Sequence, residues 1–194
     1  AGFVGNRGWG GDLVLRELLQ EEGGALGTRF VPEMILPSKS GDKSYHPETD
    51  VLVVGSDGLQ NYIIDNIPKN IRVRCNITPG TGVVNTGIGL RCSDDLQQCL
   101  EFRIDPENSL MGLFPVNGDR EKSVSPFRHK LLYRDQGDSI AIDIICRRDL
   151  VDVEIDQRRT LIQRYWNHKS DRLYLFSTGG ETRFSDIDIS PYDG

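Results

Sequence analysis

Residues able to do chemistry are present, but none stands at a spacing that completes a catalytic set. Cys75, Cys92, Cys99 and Cys146 include no C-x-x-C pair. His46, His129 and His168 are not placed to join two of them around zinc, and nothing else demands a metal or an organic cofactor. Cys92 and Cys99 are separated by Ser-Asp-Asp-Leu-Gln-Gln, which reads as a turn between two strands. They could therefore face each other across a hairpin and bridge in an oxidising compartment; the alternative is that all four are small buried hydrophobes. The G-x-S-x-G serine motif is absent, and Gly55-Ser56-Asp57-Gly58 reads as a turn. Glycines at 80, 82, 87 and 89 are followed by no lysine and no helix signal, which suits bends in a sheet better than a phosphate loop. Asp186, Asp188 and Asp193 could offer oxygens to calcium, or simply form a solvated strand face. Asn76-Ile77-Thr78 is a glycosylation triplet, meaningful only in a secreted eukaryotic protein.

Recognition chemistry has more to work with. Trp166 follows Tyr165 and precedes the polar run Asn167-His168-Lys169, and Trp9 sits among glycines beside Asn6 and Arg7. An exposed aromatic flanked by amides and cations is the usual way to stack a sugar ring and bond its hydroxyls, although large aromatics in a sheet protein also serve as core or interface. With 23 basic against 29 acidic residues, a net charge of -6 and no long basic run, nucleic acid is not an expected partner. No apolar run approaches the roughly 20 residues that span a bilayer, and mean hydropathy is -0.40, so no membrane is expected either.

The elements that must position these residues are strands. Residues 70–77, 99–105, 139–145, 151–156, 171–177 and 183–190 all alternate apolar with polar, and turn signals rich in Gly, Asp, Asn and Ser lie between them. Short strands at roughly ten-residue spacing predict an all-β antiparallel sandwich, of jelly-roll or concanavalin-like form, over residues 51–194. The polar stretch 37–50, with Pro37 and Pro47, reads as a linker loop, and residues 1–36 as an N-terminal arm. Within the arm, Leu15, Leu18 and Leu19 stand at helical spacing, so local propensity favours a helix near 12–22.

The arm also carries a family resemblance. Gly2-Phe3-Val4-Gly5-Asn6, Trp9-Gly10, Arg16-Glu17-Leu18, Gly24-Ala25-Leu26 and Pro32-Glu33 resemble the segment by which glycoside hydrolase family 32 enzymes (invertases, inulinases, levanases) leave their catalytic propeller. Leu15 stands where that family usually has proline. Residues 87–105 and 150–176 resemble sandwich strands of the same enzymes more loosely. Asp156 matches a turn-adjacent aspartate there, and Leu161-Ile162-Gln163-Arg164 departs from the usual Val-Glu-Val-Phe.

The resemblance implies a strand, not a helix, over 12–20. It implies a missing N-terminal β-propeller as partner, with Trp9, Arg16, Glu17 and Glu33 at the inter-domain junction, and an extracellular or periplasmic location. The opening residues then read as the middle of a longer protein. The catalytic carboxylate motifs of that family are absent; in Arg103-Ile104-Asp105-Pro106 the inserted isoleucine moves the aspartate to the other face. The implied role is a non-catalytic sandwich that supports the propeller and offers Trp166, Tyr165 and Asn167 to carbohydrate. A free-standing lectin-like module and a structural interaction domain are the alternatives. An arm without its propeller would expose apolar residues and could drive self-association.

Overall fold

The computed structural model describes residues 2–6, 8–20, 22–35, 45, 47, 50–125, 128–130, 137–166 and 171–192. The arm forms two hairpins, β1 (Gly2–Asn6) with β2 (Gly8–Val14) and β3 (Glu17–Gln20) with β4 (Leu26–Arg29), followed by one turn of 3₁₀ helix at Pro32–Met34. Residues 12–20 are therefore strand, broken at Leu15 and Arg16. Cross-strand pairs such as Leu13 with Phe3 and Leu18 with Thr28 override the helical propensity of the segment.

The remaining strands are β5 (Val51–Val54), β6 (Gln60–Ile64), β7 (Ile71–Pro79), β8 (Asn85–Leu90), β9 (Gln98–Asp105), β10 (Leu110–Asn117), β11 (Arg128–Lys130), β12 (Ile140–Arg147), β13 (Leu150–Ile155), β14 (Arg159–Arg164), β15 (Leu173–Thr178) and β16 (Glu181–Pro191). Among the described residues they build two six-stranded antiparallel sheets. The first runs β11-β10-β9-β8-β15-β6 and the second β14-β13-β12-β7-β16-β5. The expected antiparallel sandwich is the observed fold.

Strand alternation decides what each sheet buries. Ile71, Val73, Cys75 and Ile77 of β7 point inward with Ile140, Ile142, Ile144 and Cys146 of β12 and with Val151, Val153 and Ile155 of β13. The first sheet answers with Ile88 and Leu90, Leu100, Phe102 and Ile104, Met111 and Leu113, and Leu173 and Leu175. Each such fully buried side chain contributes roughly 1.5–3 kcal/mol. The alternate residues of every strand are thereby sent to two outer faces, where the chemistry of the molecule lies. Within 37–50, Tyr45 is tied to the sandwich: its amide donates to the Ile189 carbonyl at 3.1 Å, and its ring packs on the core.

One outer-face arrangement depends on a missing side chain. Tyr174, Gly89, Glu101 and Phe114 are cross-strand partners in one row of the first sheet. The Tyr174 ring lies over Gly89, where an added Cβ would stand 2.3 Å from ring carbon Cζ. Gly89→Ala is expected to lower the unfolding free energy by about 2 kcal/mol through displacement of that ring. In a Tyr174→Ala background the same substitution should cost less than half as much, as read from urea midpoints. Equal costs in both backgrounds would contradict the packing argument.

Candidate functional site on the outer face of the second sheet

The alternation that turns Ile71, Val73 and Cys75 inward turns Arg72, Arg74 and Asn76 outward, beside Asp143 of β12, Glu154 of β13 and Asp188 of β16. Arg72 grips Asp143 through both its Nε, at 2.9 Å, and its Nη2. Arg74 donates to Asp188 from Nε at 3.1 Å. A bulge between Ser185 and Asp188 holds Asp186 at φ +50° and delivers its carboxylate to Asn76 Nδ2 at 2.6 Å. Together with Gln157, these side chains line an open groove of about 420 Å³. Two guanidiniums face four carboxylates, so the groove disfavours anions. Its donors and acceptors are held side by side by their mutual bonds, an arrangement suited to the adjacent hydroxyls of a neutral polyol.

The arm covers the neighbouring part of the same face. Arg16 bonds Asp152 and lies over the Phe30 ring, 5.2 Å from its centroid; the Phe30 amide donates to Glu154. The Thr28 amide donates to the Arg158 carbonyl at 2.9 Å, and the Thr28 and Thr160 hydroxyls meet at 3.0 Å. Between arm and sheet lies a cavity of about 220 Å³ bordered by Leu15, Phe30, Ile35, Ile145, Ile162 and Tyr192. Glu154 thus both anchors the arm and lines the groove. Burial pushes the Asp152 carboxyl up to about 6, against the opposing pull of Arg16. Burial raises Glu154 as well, offset by the Phe30 amide.

Of the other junction candidates, Glu17 pairs with Arg29 Nε at 2.7 Å across the second hairpin, and this bond holds its carboxyl below the ordinary range. Glu33 is exposed in the 3₁₀ turn, and Trp9 lies in β2. Leu13, Leu18, Leu26 and Met34 are all exposed on the arm.

The aromatic platform expected at Tyr165 is not there. Tyr165 is only 6% exposed, packs in the core, and has its hydroxyl buried without a hydrogen-bond partner. Its amide bonds the Asp149 carbonyl at 2.7 Å, which continues the β13–β14 ladder past Arg164 and turns the ring inward. Trp166 is about half exposed, with the Arg164 guanidinium 5.5 Å from its ring centroid. It stands at the opposite end of β14 from Gln157, a strand length on the order of 20 Å, so the structure does not bring it to the groove. Asn167 and Asp193 lie outside the described residues. All four cysteines are buried free thiols. Among the described residues no three acidic, histidine or cysteine side chains are grouped to hold a metal.

The centre of the first sheet's outer face is closed, and the residue there escaped sequence reasoning. Glu101 is fully buried there, accepting from the Tyr174 hydroxyl, from Arg103, and from Arg120 Nε at 2.7 Å. Arg120 comes from the loop after β10 and lies 4.3 Å from the Phe176 ring centroid. Arg103 stacks 4.6 Å from that of Phe114 and donates to Ser123 Oγ at 2.7 Å. Asp105, the aspartate of Arg103-Ile104-Asp105-Pro106, accepts from the Asn108 amide at 2.9 Å and so shapes the β9–β10 turn.

No protein-family model matches the chain, and no curated protein does. Solved structures resemble it in fold. Carbohydrate binding module CBM66 from Bacillus subtilis is 11% identical, with TM-score 0.52, over 91% of this chain and 92% of that one. Exo-inulinase from Aspergillus awamori is 15% identical with TM-score 0.63; 92% of this chain covers 35% of the enzyme. Chicken galectin 2 is 15% identical with TM-score 0.53, over 66% of this chain and 98% of that one. At these identities the likeness is one of fold: a β-sandwich of the kind found in carbohydrate-related proteins.

The Asp152 anchor carries a pH signature. A carboxyl whose folded value lies above its ordinary 3.8 favours the fold when protonated, so its contribution is complete below about pH 4 and is lost as pH rises through about 6. Between pH 4 and 7, Asp152→Asn should therefore gain on the parent chain by up to about 3 kcal/mol in urea unfolding. A difference that stays flat, or moves the other way, would show that the Arg16 bond outweighs burial.

Proposed function

We propose that this chain is the non-catalytic β-sandwich module of a glycoside hydrolase family 32-like protein, working outside the cytoplasm, and that it seats a catalytic propeller through its arm. The observation that carries the reading is the arm itself. The segments between and after its two hairpins are bonded to the second sheet's outer face through Asp152 and Glu154, and the arm leaves Leu13, Leu18, Leu26 and Met34 exposed. The family resemblance of the same residues and the likeness to exo-inulinase support it. The groove beside the arm would then border the space where a propeller's substrate enters and hold its hydroxyls.

The second reading, a lectin-like carbohydrate-binding module, is favoured by that groove and by fold likeness to CBM66 across nearly the whole of both chains. Titration of the labelled chain with neutral fructo-oligosaccharides bears on both readings. Amide shifts are expected at Arg74, Gln157 and Asp188, Arg74→Met should weaken binding at least fivefold, and hydrolysis should stay at background. Shifts confined to Trp166 would move the site to the end of β14. Turnover by the isolated chain would overturn the non-catalytic reading.

A further inference from the structure

We propose that Cys92 and Cys99 become a disulfide as the chain folds, a covalent staple across the mouth of the β8–β9 hairpin that the completed fold then seals. Pairing of β8 with β9 reaches Leu90 opposite Leu100, and the Ser93 amide extends the ladder to the Gln98 carbonyl at 2.7 Å. The register shifts by one residue at Arg91 (φ +55°), so Cys92 stands opposite Cys99. Both side chains enter one small cluster with Val116, Tyr174 and Phe176, and neither has any exposed surface. Cys99 Sγ lies 3.1 Å from the Tyr174 hydroxyl, inside the same cluster that holds Cys92. Cys75 and Cys146 belong instead to the main core between the sheets.

The order of events follows from burial. Exchange with a disulfide oxidant such as oxidised glutathione needs a thiolate that can reach it. One cysteine attacks the oxidant and releases a first glutathione thiol. The second cysteine then attacks the mixed disulfide and releases another, so two protein thiols are oxidised and one glutathione disulfide is reduced. In the finished fold neither sulfur is accessible, and burial pushes the Cys92 thiol far above its ordinary range. The bond must form while β8 and β9 are paired but the loop after β10 has not yet closed over Tyr174 and Phe176. Once made, it holds Cys99 in place two residues before Glu101, under the Tyr174–Glu101–Arg120 network. This inference is independent of what the groove binds.

The test is refolding of the reduced, denatured full chain in reduced and oxidised glutathione, followed by alkylation, intact-mass measurement and digestion before Asp94, which separates the two cysteines. Two alkylated thiols and a Cys92–Cys99-linked pair of peptides are expected. The already folded, reduced chain in the same buffer should acquire the link at least 100-fold more slowly. Four alkylated thiols, a lasting glutathione adduct, or a link to Cys75 or Cys146 would overturn the staple. Equal rates in the two experiments would overturn the sealing.

Discussion

Asp152 and Glu154 are two carboxylates on the outer face of β13, and the arrangement of the molecule outside its core turns on how they are satisfied. A carboxylate largely withdrawn from water needs donors, and here the arm supplies them: the Arg16 guanidinium to one and the Phe30 amide to the other. That requirement holds two hairpins against the sandwich although they share no continuous sheet with it. It also explains why the chain breaks at Leu15 and Arg16 instead of running on as one strand, since Arg16 must turn toward Asp152 while Glu17 turns to Arg29. Glu154 extends the consequence to the groove, because one of its sides anchors the arm and the other faces Arg72, Arg74 and Asp143.

The two outer faces solve the same problem in different ways. On the first sheet a fully buried carboxylate, Glu101, is enclosed by two arginines, a tyrosine hydroxyl and a covering loop, so that the centre of the face is occupied. On the second sheet the charges pair side by side, Arg72 with Asp143 partly buried and Arg74 with Asp188 open to solvent. A closed network specifies packing; an open ladder of oriented donors and acceptors can exchange its partners for a ligand's hydroxyls. For that reason the candidate site lies on the second sheet although the more strongly buried polar cluster lies on the first.

Much of the fold was legible in period-two alternation, because a strand with one face in a core has little freedom in what it places there. The alternating runs at 70–77, 99–105, 139–145, 151–156, 171–177 and 183–190 all lie largely within β7, β9, β12, β13, β15 and β16. The site was less legible. Arg72 and Arg74 stand 71 and 69 residues before Asp143, and only the pairing of β7 with β12 brings them beside the β12–β13 hairpin that carries Asp143 and Glu154. Glu101 gave no local signal, since its burial comes from a loop some twenty residues away. Tyr165 misled for the opposite reason: adjacency to Trp166 suggested a shared surface, whereas neighbours along an extended chain face opposite ways. The helix signal in the arm failed because propensity is local and the hairpin partners are not.

The central claim, that the arm is built onto the second sheet by buried acceptors on β13, is tested most directly by amide hydrogen exchange at Phe30. Its N–H points into the Glu154 carboxylate, so it should exchange at least a hundredfold more slowly than an unstructured amide and lose that protection in Glu154→Ala while the β7 and β12 amides keep theirs. Exchange of the Phe30 amide at the unstructured rate in the parent chain would contradict the account.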